Sequence, residues 1–316
     1  MNKKQHIVVL RGGHPSEHEV SLKSGQTLID SLSDTYEITD IVIQKDLHHW
    51  QWNGTQTRML QTGESLNMLT QMNTVVVIGL HGPFGEDGTV QTLLETWDIP
   101  FTGSNALAST LCFDKYATEA LLQKHGVTTT KSDIVTSVTL NSLPDERFKN
   151  AFMKPRKSGS SVDSGPIDTK RDALELLDKS SFTEFLIQKR LLGKEFTCGV
   201  IDIGNGPEAL PVTEAISKNN FFDYDAKYNG QSTEITPANI DQQTYDRIQH
   251  LAVNAHNSMG CTGITRTDFI LADDTLHVLE INTLPGMTET SFVPQQLASA
   301  NIELSHVLTN MIESKA

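Results

Sequence analysis

Four polar side chains in the C-terminal part of the chain have a spacing that could hold a divalent cation. Within 266–282, two segments of alternating polarity flank a polar cluster that is typical of a turn. If the two strands pair so that Asp268 faces Glu280, then Arg266 faces Asn282 and all four side chains share one face. Two neighbouring carboxylates repel each other unless a cation lies between them, and oxygen ligands suit Mg2+. The hairpin therefore predicts a magnesium site, with a solvated strand face as the alternative.

Three loops elsewhere carry groups that could bind a charged ligand. The Ser/Gly-rich loop 157–165 follows a predicted strand ending at Lys154, and its backbone N–H groups and hydroxyls could approach phosphate oxygens. The segment 222–228 concentrates aromatic residues and a lysine, as a lid over a ligand would. The turn 81–88 begins with a histidine and contains three glycines. The alternatives are structural: a plain surface loop, an Ω-loop held by its own aromatics, and a polar group at a strand end.

Composition and charge argue against several classes of function. The 316 residues include 25 basic and 39 acidic side chains, and the net charge of -14 opposes binding to nucleic acid or to anionic membranes. The apolar runs are too short to span a bilayer or to form the core of a secretory signal, so we expect a cytoplasmic protein. Three widely spaced cysteines, Cys112, Cys198 and Cys261, predict buried free thiols rather than disulfides or a zinc site.

The first part of the chain shows an α/β pattern that could position these loops. Between residues 6 and 103, short apolar strands alternate with helical segments, and a capping box over 16–19 predicts the start of the first helix. Such a pattern predicts a parallel sheet with ligands near the carboxyl ends of its strands. The predicted strands are 6–10, 36–43 and 75–80.

Two further units follow, beginning near Ser104 and near residue 188. The predicted elements are a helix at 114–124, strands at 151–154, 182–189 and 196–203, a helix near 242–258, and the hairpin of 266–282.

Seven motifs in sequence order resemble the D-alanine–D-alanine ligases of the ATP-grasp superfamily. The resemblance extends from residue 8 to about residue 307, and seven motifs in the right order make it highly specific. The motifs are Gly12-Gly13-x-x-x-Glu17-x-Glu19-Val20-Ser21-Leu22, His81-Gly82-x-x-Gly85-Glu86-Asp87-Gly88, Asp114-Lys115, Lys154-Pro155-x-x-x-Gly159-Ser160-Ser161, Asp223-Tyr224-x-Ala226-Lys227-Tyr228, Arg266-x-Asp268, and Glu280-x-Asn282-Thr283-x-Pro285-Gly286-Met287-Thr288.

This resemblance implies an α/β fold in three parts. A Rossmann-like parallel sheet would occupy 1–103, a central ATP-grasp lobe 104–187, and a C-terminal lobe with the metal and catalytic residues 188–316. The implied substrates are D-alanine and ATP, with two Mg2+ or Mn2+ ions as cofactors. The implied activity is ligation of two D-alanines through an acylphosphate for peptidoglycan synthesis, and the implied assembly is a homodimer without nucleic-acid or membrane partners.

The resemblance also implies which residues bind ATP and the metal ions. Lys115 and Lys154 would hold the α- and β-phosphates, and Lys227 on the lid would approach the γ-phosphate. The remaining implied ATP contacts are Ser160 and Ser161 in the loop, Gln188, Lys189 and Leu191 at the adenine, and Glu195 at the ribose. The implied metal ligands are Asp268, Glu280 and Asn282.

A second set of residues is implied at the amino-acid substrates. Glu17 would pair with the ammonium group of the first D-alanine, near His81. Arg266 and the backbone N–H of Gly286 would stabilise the oxyanion. Ser291 would bind the carboxylate of the second D-alanine, and a hydrogen-bond network would join Glu17 to Ser160 and Tyr228.

Three positions depart from the family pattern. Gln188 stands where a glutamate is common, and Phe292 stands where a leucine is common. Asp163 stands where a glycine is usual, and its carboxylate adds negative charge near the polyphosphate. We hypothesise that Asp163 weakens ATP binding or slows loop closure.

Four alternatives to the leading function stay open at this point. They are a ligase that forms D-alanyl-D-serine, one that forms D-alanyl-D-lactate, an ATP-grasp ligase for another amino acid, and a nucleotide-binding relative that has lost catalysis. The lid pattern of 224–228 favours an amide product, because ester-forming relatives often carry a histidine there.

Overall fold

The computed structural model describes residues 4–159, 163–217 and 232–315, and these ranges form three β-sheets with helices packed around them. No helix within them is long and apolar enough to cross a membrane. The strands are β1 (His6–Gly12), β2 (Glu37–Ile43), β3 (His49–Asn53), β4 (Arg58–Gln61), β5 (Val75–Ile78), β6 (Ser132–Val135), β7 (Ala151–Pro155), β8 (Gly165–Ile167), β9 (Phe185–Lys189), β10 (Lys194–Asp202), β11 (Pro207–Ala209), β12 (Thr213–Ser217), β13 (Ser232–Ile235), β14 (Gly263–Ala272) and β15 (Thr275–Asn282). The helices are α1 (His18–Leu32), α2 (Thr62–Thr70), α3 (Thr89–Thr96), α4 (Ala106–Phe113), α5 (Lys115–Lys124), α6 (Lys170–Lys179), α7 (Gln242–Ser258), α8 (Phe292–Ser299) and α9 (Leu304–Glu313).

The first sheet has the strand order β4-β3-β2-β1-β5. The predicted parallel sheet is confirmed for β2, β1 and β5, whereas β3 and β4 extend it with antiparallel strands. Successive residues of β1 point to opposite faces, so Ile7 and Val9 pack with the C-terminal helix α9, whereas Val8 and Leu10 pack with Trp50. A strand that is buried on both faces explains the continuous apolar run.

The second sheet is antiparallel, with the order β6-β9-β7-β8, and α6 packs on it. A capping box starts α6, because the Thr169 hydroxyl accepts from the Asp172 backbone N–H and the Asp172 carboxylate accepts from the Thr169 N–H.

The third sheet has the order β13-β12-β10-β14-β15, with β11 also paired to β10. Helices α4, α5 and α7 bury their apolar sides in the core beneath this sheet. All three cysteines are buried free thiols, as predicted, and the Cys112 and Cys261 sulfurs lie 3.6 Å apart. The division at 1–103, 104–187 and 188–316 remains a prediction.

Most predicted elements appear within a few residues of their expected bounds, and the helix near 242–258 coincides with α7. The capping box at the start of α1 is wrong. The helix is preceded by Glu17 without a side-chain cap, and the Ser16 hydroxyl lies 2.8 Å from the His14 ring instead. The difference arises because a nearby histidine competes for the hydroxyl that would have capped the helix.

Candidate active site

A cleft of about 270 Å3 lies between the second and third sheets. It contains seven of the predicted nucleotide and metal residues that the structure describes: Lys115, Lys154, Gln188, Leu191, Glu195, and the two carboxylates Asp268 and Glu280. Lys189 follows in β9 with an exposed side chain that does not line the cleft. Its predicted contact with adenine would therefore have to use the backbone.

A second cavity of about 70 Å3 adjoins the first at Glu280, which lines both. It brings together residues from three distant parts of the chain. The predicted site residues that line it are Glu17, His81, Arg266, Glu280, Asn282 and Gly286. A large cleft and a small one that share a carboxylate suit a large anionic ligand and a small polar one.

The face between the two cavities is the predicted hairpin face. In the register of β14 and β15, Asp268 is opposite Glu280 and Arg266 is opposite Asn282, which confirms the predicted pairing. The Arg266 guanidinium donates to both Asp268 carboxylate oxygens at 2.8 Å. Burial alone would lower the pKa of Arg266, but Asp268 and Glu280 raise it above its ordinary value, so the guanidinium stays charged.

A β-bulge makes this pairing possible. The hairpin turns through Asp273 and Asp274, both with positive φ, and pairs Ala272 with Thr275. Continued without interruption, this ladder would set Leu279 opposite Asp268. The register shifts between Asp268 and Phe269, so Leu279 is the extra residue and Glu280 reaches the face of Asp268. The pattern of polar and apolar residues could not locate this bulge. One extra residue changes the face on which the following side chains lie, but it does not change which residues are polar.

Lys115 is positioned at the start of α5 by the residue before it. The Asp114 carboxylate accepts from the backbone N–H groups of Tyr116 and Ala117 and caps the helix. Arg156 donates to both Asp114 oxygens, at 2.9 and 2.6 Å, and so joins the helix to the end of β7. Burial alone would raise the pKa of Asp114, but the bonds from Arg156 and the helix N–H groups lower it.

The two lysines predicted at the phosphates reach the hairpin face from two directions. The Lys115 ammonium lies 3.2 Å from a Glu280 oxygen and donates to the Ser158 carbonyl at 2.6 Å. Lys154 extends from β7 and donates to the Leu279 carbonyl at 3.5 Å. One positive charge from α5 and one from the second sheet therefore lie beside β15 of the third sheet.

His81 connects the first sheet to the chain beyond β15. Its ring nitrogens lie 2.7 Å from the Ser24 hydroxyl and 3.0 Å from the Leu284 carbonyl. Glu17 is also buried, and a Cβ at Gly82 would approach its Cγ to 2.6 Å. The close passage of Glu17 requires glycine at position 82, where φ is +65°.

The predicted oxyanion donor Gly286 and the predicted carboxylate ligand Ser291 are adjacent. A Cβ at Gly286 would lie 2.7 Å from the Ser291 hydroxyl oxygen, which contacts the Thr288 hydroxyl at 2.8 Å. Phe292 follows as the first residue of α8, and its ring centroid lies 5.5 Å from the Arg266 guanidinium carbon. The residue that replaces the common leucine thus covers Arg266 by a cation–π contact.

The residues at the hairpin face suit a hard divalent cation. They present two carboxylates and an amide, and the carboxylate oxygens and the amide oxygen of Asn282 are the kind of ligand that such a cation takes. The Lys115 ammonium beside Glu280 shows that this face accepts positive charge. Among the described residues no group of three or more His, Cys, Asp or Glu side chains is suited to a metal, so a cation at the hairpin face would need Asn282 as a further ligand.

Four predicted residues lie outside the described ranges: Ser160, Ser161, Lys227 and Tyr228. Asp163 is described and has a φ of +51°, a conformation that favours the glycine usual at this position. Its carboxylate accepts from the Ser180 hydroxyl at 2.6 Å.

The end of the cleft that is predicted to hold adenine includes Gln188, which replaces the common glutamate. Its carbonyl oxygen accepts from the Thr130 and Ser132 hydroxyls at 3.0 and 3.2 Å. Because these bonds hold the Gln188 side chain, an adenine contact at this position would be made by the Gln188 backbone.

Two residues that support the hairpin face, Thr197 and Gln296, were not predicted from the sequence. The Thr197 hydroxyl on β10 donates to Asp268 Oδ1 at 2.7 Å, and the amide of Gln296 on α8 bonds to the backbone of the same strand. A threonine in an apolar strand and a glutamine in an amphipathic helix carry no signal of such a role.

Comparison with known proteins identifies the family. Two family models match the chain, one described as the D-ala D-ala ligase N-terminus over residues 6–104 and the other as the D-ala D-ala ligase C-terminus over residues 120–313. A D-alanine–D-alanine ligase of Phocaeicola vulgatus is 33% identical, with 99% of each chain covered. One from Leptospira interrogans is 41% identical over 76% of this chain and 72% of its own.

Two solved structures are similar over almost the whole chain. A D-Ala:D-Ser ligase from Enterococcus faecalis has a TM-score of 0.84 at 26% identity, with 99% of this chain and 100% of that chain covered. A D-alanine–D-alanine ligase from Bacillus anthracis, complexed with ATP, has a TM-score of 0.80 at 28% identity, with 99% and 97% covered. With two family models and full-length relatives in agreement, this chain belongs to the D-alanine–D-alanine ligase family of the ATP-grasp fold.

Proposed function

We propose that this protein joins two D-alanine molecules into D-alanyl-D-alanine at the expense of ATP, for peptidoglycan precursor synthesis. The observation that carries the proposal is the pair of adjoining cavities that share Glu280. The larger cleft fits ATP, as bound by the Bacillus anthracis relative. The smaller cavity fits an amino acid, since it presents a carboxylate, Glu17, and a guanidinium, Arg266.

The reaction would proceed in two steps on this site. The carboxylate of the first D-alanine attacks the γ-phosphate of ATP, so that an acylphosphate forms and ADP leaves. The amine of the second D-alanine then attacks the acyl carbon, and phosphate leaves with the electron pair of the broken C–O bond. Both steps bring anions together, so positioning and positive charge supply most of the catalysis.

The positive groups of the site are placed for this task. Lys115 and Lys154 enter the nucleotide cleft beside Glu280 and Leu279, where they would bind phosphate oxygens. Arg266 lines the small cavity with Gly286, and the two would donate to the oxyanion of the tetrahedral intermediate. Loss of one such donor typically raises the barrier by about 2.7–4 kcal/mol.

Asp268, Glu280 and Asn282 would hold Mg2+ or Mn2+, which would neutralise phosphate charge when bound. Arg266 pairs with Asp268, and Lys115 pairs with Glu280. Glu17 would take the ammonium of the first D-alanine, with His81 close by, and Ser291 would take the carboxylate of the second. We further propose the remaining nucleotide contacts and the homodimer that the sequence resemblance implies.

The proposal is tested by phosphate release from ATP and Mg2+, with products identified by mass. D-alanine, L-alanine, D-serine and D-lactate are offered singly and in pairs. We expect turnover with D-alanine alone, giving the dipeptide. Turnover that needs D-serine or D-lactate as the second substrate would instead assign a ligase of the other product class, as the Enterococcus faecalis relative is named.

Matched variants separate the site from nonspecific damage. Asp268→Asn removes a carboxylate from the shared face and should abolish turnover. Asp178→Asn makes the same change on the exposed side of α6 and should leave turnover unchanged. ATP binding by the parent protein without turnover on any pair would overturn the proposed function.

A further inference from the structure

One edge of β10 has a gap that a side chain fills. This edge pairs with β12 at Glu195–Thr197 and with β11 at Val200–Asp202. Between these ladders Cys198 and Gly199 pair with neither strand, and the Thr197 carbonyl lies where the first ladder ends. Buried backbone groups need hydrogen-bond partners, so something else has to supply them.

The amide of Gln296, on α8, fills the gap. Its Oε1 accepts from the Gly199 N–H at 2.9 Å, and its Nε2 donates to the Thr197 carbonyl at 3.1 Å and to the Thr213 hydroxyl at 3.0 Å. The side chain is fully buried, with an exposed fraction of 0%. One amide therefore satisfies an acceptor and a donor of the strand, much as a neighbouring peptide group would.

The contact between Gln296 and β10 requires the absence of a side chain at Gly199. A Cβ at this position would lie 2.7 Å from the Gln296 Oε1 and 2.9 Å from Leu210 Cδ1. Any larger residue would push the amide away from the strand. The helix is thus held at a fixed height above β10 by a contact that needs both the glycine and the glutamine.

Helix α8, which Gln296 holds against β10, carries residues that would line the binding site of the second D-alanine. Ser291 immediately precedes α8, and Phe292, one turn before Gln296, covers Arg266. On β10, Thr197 accepts from Gln296 through its carbonyl and donates to Asp268 through its hydroxyl. The Gln296 amide therefore fixes Ser291 and Phe292 relative to Arg266 and Asp268.

We infer that Gln296 is a positioning residue that sets the acceptor subsite, where the second D-amino acid binds. This inference rests on the proposed function, since the acceptor is the second D-alanine. Residues far from the chemistry can matter in this way, because a misplacement of about 1 Å can cost about 100-fold in rate. Lys115, Lys154 and Glu17, the proposed contacts of ATP and the donor D-alanine, lie on segments with which Gln296 forms no hydrogen bond in the described part of the chain. The constants for these two substrates should therefore change less than the acceptor KM.

The experiment compares Gln296→Ala and Gln296→Glu with a matched control, Gln249→Ala. Gln249 lies on α7 and donates to the Leu210 carbonyl at 3.0 Å, so it anchors a helix to the same lobe without contacting α8. Initial rates over a range of D-alanine concentrations give separate KM values for donor and acceptor. Trapping of the acylphosphate with hydroxylamine measures the first step alone.

We expect Gln296→Ala to raise the acceptor KM at least tenfold and to leave the KM for ATP and the hydroxamate yield within about twofold. Gln249→Ala should leave all three unchanged. Equal acceptor KM values in Gln296→Ala and the parent would overturn the inference, as would a parallel loss of the hydroxylamine reaction.

Gln296→Glu provides a test with the same side-chain shape. A protonated acid can accept from Gly199 and donate to Thr197, whereas the carboxylate would repel the Thr197 carbonyl. The acceptor KM of this variant, relative to the parent at each pH, should therefore fall as the pH is lowered. A ratio that is independent of pH would overturn the inference even if Gln296→Ala failed to fold. Absence of dipeptide synthesis by the parent protein would instead overturn the proposed function.

Discussion

Replacement of Thr197 by valine removes the hydroxyl that donates to Asp268 on the hairpin face; its other acceptor, the Thr267 carbonyl, is farther away at 3.4 Å. The Thr197 hydroxyl donates to Asp268 Oδ1 at 2.7 Å from a position that is 2% exposed, and valine matches its shape. Hydrogen bonds to charged groups contribute about 1.5–3 kcal/mol, which corresponds to about a tenfold to a hundredfold effect. Asp268 keeps both bonds from Arg266, so we expect the lower end of this range.

The assay is ATP- and D-alanine-dependent phosphate release at increasing Mg2+ concentration. Thr197→Val should need about ten times more Mg2+ for half-maximal rate, because partners behind a metal ligand typically affect affinity by 10- to 100-fold. The free energy of unfolding in urea, measured in parallel, reports the loss of stability separately.

Thr267→Val is the matched control. Thr267 lies on β14, is fully buried, and its hydroxyl has no hydrogen-bond partner within the described ranges. Its removal should leave the Mg2+ dependence unchanged and should not lower stability, because an unpaired buried hydroxyl is unfavourable. If Thr197→Val had the same half-saturating Mg2+ as the parent, Thr197 would not orient Asp268 and the reasoning would be wrong.

Three further changes test other parts of the site. Arg266→Lys removes the paired bonds to Asp268 and should lower kcat about 100- to 1000-fold in the phosphate-release assay, whereas a loss below tenfold would argue against an oxyanion role. Asp163→Gly, at φ +51°, should lower the KM for ATP or raise kcat, and unchanged values of both would refute the hypothesis that this carboxylate impairs ATP use. Asp114→Asn should reduce stability by about 1.5–3 kcal/mol at pH 7, since Arg156 lowers the pKa of Asp114 and its ionised form stabilises the fold. The stabilisation by Asp114 is lost as the pH falls through its lowered pKa, so urea unfolding should show the variant and the parent converging in acid and diverging towards neutral pH.

Local patterns predicted most of the elements, because hydrophobic periodicity is a property of neighbouring residues. The apolar run of β1, the period of α7 and the alternation of β14 and β15 were all readable from the sequence. The same patterns did not show the antiparallel β3 and β4, because both strands are short. β3 alternates over only five residues, with Trp50 and Trp52 buried, and the edge strand β4 has four residues, none of them buried.

Chemistry was predictable where residue type alone limits what a group can do. Asp268, Glu280 and Asn282 can accept cations but cannot act as soft-metal ligands, and Lys115 and Lys154 can bind phosphate wherever the fold places them. Their assignment to one site also drew on a resemblance that covers nearly the whole chain, which single motifs would not have supported.

The sequence by itself determined the local elements, the acidic character of the chain and the types of group available for catalysis. The pairing of Asp268 with Glu280 was also predictable, but only the tertiary structure decided which groups from distant segments meet and where the bulge that allows this pairing lies. His81 reaches the Leu284 carbonyl, Gln296 completes the edge of β10, and the bulge at Leu279 turns Glu280 towards Asp268. These arrangements depend on packing between segments that are distant in the chain and on an offset of one residue, and neither changes the local pattern of polarity.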